Sequence, residues 1–143
     1  MPATVKASAA AAEALAIAPH DKVIRIRNVL SLDGQARIVD DITLPAELFH
    51  GLSEKIFRAR DNTIYHLYQS RYGINVLRTD ERLSAILAGA EDARLLRVEP
   101  GAPLLEIRRV ALTFRDRPVE LRISRADTRD HDYHNTFGKG LPP

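Results

Sequence analysis

The chain carries one passage twice. IAPHDKVIRIRNV, Ile17 to Val29, is answered by VEPGAPLLEIRRV, Val98 to Val110, with Pro19 and Pro100 standing 81 residues apart. At that offset Leu15 falls on Leu96, Ile26 on Ile107, Arg27 on Arg108 and Val29 on Val110. Whatever unit the first copy builds, the second must build as well. The alanine-rich run Ala7 to Ala16 favours helix, Ser8 can cap it, and Pro19 ends it. Val23 to Leu30 then alternates, with Ile24, Ile26, Asn28 and Leu30 on the more apolar face of a half-buried strand. Asp33-Gly34 marks a hairpin turn, and Arg37 to Leu44 returns as far as Pro45. The second copy repeats the plan: Ala90 to Leu96 as helix, a Pro-Gly turn, Leu104 to Phe114 as strand, RDRP as turn, and Val119 to Ala126 as the returning strand.

The connector between the copies differs in character. Pro45 to Phe57 reads as short helical turns. Asn62 stands where it can cap a helix over Thr63 to Tyr72, which Gly73 stops. Ile74 to Leu87 then reads as a strand, with Leu77, Thr79, Leu83, Ala85 and Leu87 in one register. By symmetry a strand should also precede the first helix, and Thr4, Val5 and Lys6 occupy that place. That shortness, together with the abrupt opening at Met1-Pro2, leads to the expectation of a piece cut from a longer protein. The tail after Asp130, with Gly138, Gly140 and two closing prolines, is expected to be loose. Two helix-plus-hairpin units are most economically joined as one antiparallel sheet with helices on one face, an α+β domain occupying all 143 residues.

Composition removes several functions. Formal net charge is only +2, and acidic and basic residues are interspersed rather than gathered in a basic stripe, so the chain alone is a poor DNA grip. No cysteine is present, which excludes disulfides and thiol chemistry and suits the cytoplasm. No apolar run approaches the roughly 20 residues of a membrane helix, and Glu13 breaks any signal-peptide reading of the alanine-rich start. His131, Asp132 and His134 are three ligand types on one short segment, which rarely closes a metal site, so neither metal nor cofactor is expected. No GxSxG elbow, HExxH, P-loop or dinucleotide fingerprint appears.

Several runs together resemble a known family. Asp21-Lys-Val-Ile-Arg-Ile-Arg27, Asp33-Gly34, Asp40 before ITLP, Thr63-Ile-Tyr65 and Tyr72-Gly73 look like the first half of a UTRA domain. Leu96-Arg-Val-Glu-Pro-Gly101, Pro103 to Arg109, and Pro118-Val-Glu120 look like its second half. UTRA domains are the effector-binding halves of GntR-type regulators of the HutC subfamily. The resemblance implies a chorismate-lyase-like fold, a small metabolite as ligand and a homodimer. It also implies a winged-helix DNA-binding domain that would precede Met1. The main alternative is an enzyme related to chorismate lyase, with an arginine-lined pocket.

Eight residues form the candidate ligand set. Arg27 offers a planar fork for a carboxylate or phosphate, the alternative being a solvated sheet-face arginine. The family's sugar-phosphate sensors tend to carry a second arginine two residues on, where this chain has Val29. That departure argues against a doubly charged phosphate and leaves a carboxylate open. Arg108, on which Arg27 falls in the repeat, joins it, as does Arg78 on the connector strand. Asp40 and Glu120 hold the family's acidic positions on the two return strands; each is read either as an acceptor for ligand groups or as an internal partner of Arg27, Arg108 or Arg122. Asn62 and Thr63 stand at a helix start suited to anions, or are plain caps. Tyr65, two residues on, lines a pocket or packs. Where the family often has a tyrosine after the Pro-Val-Glu strand, Arg125 and Ala126 stand instead, implying a remodelled pocket.

Overall fold

The computed structural model of the chain describes residues 3–134. Met1-Pro2 and the segment containing Gly138 and Gly140, discussed above, lie outside the described residues. Strands β1 (Ala3–Lys6), β2 (Lys22–Leu32), β3 (Gln35–Pro45), β4 (Arg78–Leu87), β5 (Pro103–Leu112) and β6 (Pro118–Ala126) form one sheet. Their order is β1-β2-β3-β6-β5-β4, every neighbour antiparallel. That order is the duplication made visible, since each half supplies an edge strand followed by a hairpin and the two return strands meet at the centre. The expected α+β antiparallel sheet is therefore observed.

Local chemistry sets the repeated unit. Helix α1 (Ala9–Leu15) is capped by Ser8, whose hydroxyl accepts from the Ala11 amide, and α4 (Ala90–Leu96) occupies the same place in the second copy. Both helices end on a residue in the left-handed conformation, Ala16 and Arg97, at φ of 53° and 55°. Asp33 (φ 53°) and Gly34 (φ 79°) turn β2 into β3, the positive φ pair that matches the twist of a two-residue hairpin.

The two repeated helices share one face of the sheet. Leu15, Ala11 and Ala12 of α1 pack on Val23 and Leu121, while Ala93 and Leu96 of α4 pack on Val39 and Leu104. The connector takes the other face. There α2 (Glu54–Arg58) and α3 (Ile64–Tyr72) enclose Ile24, Ile26, Ile42 and Leu44 with Phe49, Phe57, Leu67 and Tyr68. Phe49 stands edge-on to the Tyr68 and Tyr72 rings at 4.9 and 5.2 Å. The connector strand starts at Arg78 rather than Ile74, because Ile74 and Val76 are drawn into this core beside α3.

Leu44 is fully buried in that core, whereas Leu77 is 58% exposed. Leu44→Ala should therefore lower unfolding stability by about 2–5 kcal/mol, and Leu77→Ala by no more than about 0.5 kcal/mol. Urea denaturation of the two variants compares them directly.

Candidate functional site

Strand alternation decides which candidate side chains can meet. On the connector-facing side of the sheet, β6 presents Glu120, Arg122, Ser124 and Ala126, and β5 presents Leu105, Ile107, Arg109 and Ala111. In register with Ser124, β3 presents Asp40. These side chains floor a cleft of about 200 Å³ bounded by Leu30, Ile38, Leu105, Ile107 and Ala126 on its apolar side and by Asp40, Arg109, Arg122 and Ser124 on its polar side. Asp127, His131 and Tyr133 border it from the segment after β6.

At one end of the polar side lies Glu120, which is fully buried. Tyr68 donates to its Oε2 at 2.5 Å, Tyr65 to Oε1 at 3.4 Å, and Arg122 grips both oxygens through Nε and Nη2 at 3.1 and 2.8 Å. A buried carboxylate is tolerable only when its charge is matched and its lone pairs are occupied, and both conditions are met. Burial, reinforced by the Glu120 charge, holds the Tyr68 hydroxyl well above its ordinary value, so it remains a phenol that donates. Burial likewise raises Tyr65. Arg122 would be lowered by its own burial, but Glu120 more than offsets this and raises it. Its guanidinium also lies 5.2 Å from the centre of the Tyr65 ring.

Arg109 stands directly opposite Arg122 in the β5–β6 ladder. Two like charges in that position repel, and each has its own carboxylate. Arg109 pairs with Glu81 of β4 at 2.7 Å, and Tyr133 donates to the other Glu81 oxygen at 2.6 Å. Asp40 has no arginine of its own. It accepts from Ser124 at 2.6 Å, and its burial raises its carboxyl above the usual 3.8 against the opposing pull of that bond and of Arg122.

The structure brings Asp40, Glu120 and Tyr65 of the candidate set to this side and sends the others elsewhere. Arg27 faces α4, where its Nε meets Asp41 at 2.8 Å and its Nη1 meets Glu91 at 2.7 Å. Arg125 reaches the same Asp41 and also Asp92. The internal partner of Arg27 is thus Asp41 rather than Asp40, one residue along and so on the opposite face. Arg108 shares that opposite face, in register with Ile123. Arg78 lies at the far end of β4, paired with exposed Asp116. The cap of α3 is Thr63, whose hydroxyl accepts from the His66 amide, not Asn62, whose side chain accepts from the Thr63 amide. Both are exposed, and neither borders the cleft. Tyr65 packs against the core beside α3 and donates to Glu120, and it does not border the cleft.

Arg109, Ser124, Tyr68, Glu81 and Tyr133 were not singled out from the sequence, and Arg122 entered only as a possible partner. Parity was the available signal. Of the adjacent pair Arg108-Arg109 only one can share a face with Ile107, and it is Arg109. Among the described residues no group of three or more His, Asp or Glu side chains is arranged to hold a metal ion. No helix of the described residues is long and apolar enough to cross a membrane.

The UTRA domain pattern matches residues 2–132. The chain belongs to the UTRA family. A solved structure of the ligand-binding domain of a protein described as a GntR-family transcriptional regulator, from Bordetella bronchiseptica, superposes with a TM-score of 0.91 at 36% identity, covering 96% of this chain and 87% of that one. The HTH-type transcriptional regulator GgaR of Escherichia coli is 28% identical over 120 residues, 84% of this chain and 46% of GgaR. A transcriptional repressor named for a fructoselysine utilization operon, also from Escherichia coli, is 25% identical over 109 residues, 76% of this chain and 44% of the repressor. The chain therefore spans less than half the length of these curated relatives. The fold is the chorismate-lyase-like one, and the relatives are regulators rather than lyases.

The raised Asp40 carboxyl has a consequence for stability. An acid whose folded value is raised holds its proton more tightly when folded, so its contribution falls as pH climbs past 3.8 through the raised value. Asp40→Asn keeps an oxygen for Ser124 and has no proton to lose. The stability of this variant relative to the parent chain should therefore increase between about pH 3.5 and pH 7. Urea midpoints across that range measure it, and a pH-independent difference would remove the assignment.

Proposed function

We propose that this chain is the effector-sensing domain of a bacterial transcription regulator, and that the cleft over Asp40, Arg109, Arg122 and Ser124 receives the effector. The observation that carries the proposal is the position of Arg122. Its guanidinium borders the cleft and grips Glu120, which in turn holds Tyr65 and Tyr68 of α3. An occupant that draws on Arg122 is one carboxylate away from a helix, so occupancy can bias how α3 sits on the sheet.

The lining favours a small polar metabolite with an apolar side. Asp40 and Ser124 offer hydrogen bonds to hydroxyl or amine groups. Arg109 and Arg122 favour a carboxylate, while Ile107, Leu105 and Ile38 take an apolar portion. The repressor named for fructoselysine utilization is in keeping with a polar effector. The output is operator binding by a winged-helix domain outside this chain, in the cytoplasm, as the HTH-type relatives suggest. We assign homodimerisation to β4. This edge strand has β5 on one side only and carries the exposed Leu83 and Leu87.

A metabolite panel screened by thermal shift tests the reading. A true effector should raise the melting temperature saturably, equivalent to about 2.7 kcal/mol at a concentration one hundred times its Kd. Ile107→Trp, which fills the cleft, should abolish the shift while leaving the protein folded. A ligand that stabilises both proteins equally would place the effector elsewhere.

A further inference from the structure

The opposite face of the sheet holds a second concavity, lying under α1 rather than α3. Lys6, Arg25 and Arg108 ring a cavity of about 380 Å³ whose apolar floor is Val23, Leu121 and Ile123. Arg108 is unusual in this molecule. Each of the other half-buried arginines among the described residues meets a carboxylate or a backbone carbonyl. Arg108, also half-buried, meets neither, and Arg25 and Lys6 are likewise without an ion pair. The acidic side chain that lines the cavity, Asp41, is taken up by Arg27 and Arg125, which hold its carboxyl below the usual range despite its burial. Across the ladder from Arg108 stands Arg82, another unpaired cation on the same face.

Positive charge is thus gathered at Lys6, Arg25, Arg82 and Arg108, none of them ion-paired among the described residues, although Glu106 and Asp80 share this face of the sheet. Taking an arginine partly out of water without a partner costs free energy, and an entering oxyanion recovers it through the two parallel N–H groups of the guanidinium. Like charge at Arg82 adds to the potential that draws such an anion in. The Thr43 hydroxyl, also lining the cavity, can donate to it.

We infer that this concavity is a second binding site, specific for a compact metabolite bearing a carboxylate or phosphate group on an apolar body. It is separate from the effector cleft, because the sheet lies between them. Ligation at Arg108 would tie β5 to the α1 side of the fold independently of what the cleft holds.

Amide shifts in the 15N-labelled chain test the site, with sodium phosphate and sodium benzoate as separate probes at ionic strength held constant with sodium chloride. The expected result is saturable shifts at Thr43, Arg108 and Leu121, with the stronger probe showing which oxyanion the site prefers. Arg108→Gln should weaken that binding by at least about tenfold, the loss of one charge-assisted contact. Arg129→Gln, at an exposed arginine elsewhere, should leave it unchanged. Because Arg108 has no partner to abandon, its variant should keep the parent melting temperature; if it does not, Arg25→Gln gives the same reading. Shifts linear in concentration, shifts indifferent to Arg108→Gln, or shifts confined to Ile107 and Ser124 would each overturn the proposal. The last outcome would return the anion to the effector cleft without harming that assignment.

Discussion

One buried carboxylate organises the connector face of this protein. Glu120 sits at the centre of the sheet with no access to water, and its charge is tolerated because Arg122, Tyr68 and Tyr65 converge on it. Two of those partners come from α3 and one from its own strand. The same four contacts therefore satisfy the carboxylate, fix α3 over the sheet, and hold Arg122 at the edge of the cleft. Removing any partner leaves a buried charge short of compensation, which is costlier than losing an ordinary surface pair. The aromatic packing of Phe49 on Tyr68 and Tyr72 then follows from where α3 has been placed.

The duplication explains the architecture, and its breakdown makes the site. In the first hairpin Asn28 stands opposite Asp40; in the second, Arg109, 81 residues after Asn28, stands opposite Arg122. A neutral-acidic pair in one copy answers a doubly cationic pair in the other, and the cleft lies where these rows approach. The halves match where they pack against α1 and α4, with Leu15 and Leu96 both buried and both helices ending in a left-handed residue.

Much of this was legible in the sequence. The repeated helix-hairpin units, the turn at Asp33-Gly34 and the single antiparallel sheet all follow from alternation and turn chemistry, which are local. So does the acidic character of Asp40 and Glu120. What was not legible was the face on which each charged residue lies. Arg27 and Arg108 have the right chemistry for anions but the wrong parity for the cleft, whereas Arg109, one residue from Arg108, has both. The partner of Arg27 is Asp41 for the same reason. Strand parity is visible in sequence, but which parity faces the connector depends on where α3 docks, and that is a tertiary fact. The cap of α3 shows a smaller effect: Asn62 and Thr63 are both good caps, and geometry chose Thr63.

The two faces divide the work: one holds α1 and α4 by small apolar contacts and the Arg27–Asp41–Arg125 cluster, while the other holds α3 by the apolar core around Leu67 and Tyr68 and by the contacts to Glu120. Hydrogen–deuterium exchange of an Arg122→Gln variant tests that division most directly. If Glu120 and Arg122 join the cleft to α3, the amides of Leu67 to Tyr72 should exchange faster in the variant, while those of α1 keep their parent rates. Equal acceleration in both helices, or none in α3, would contradict the account.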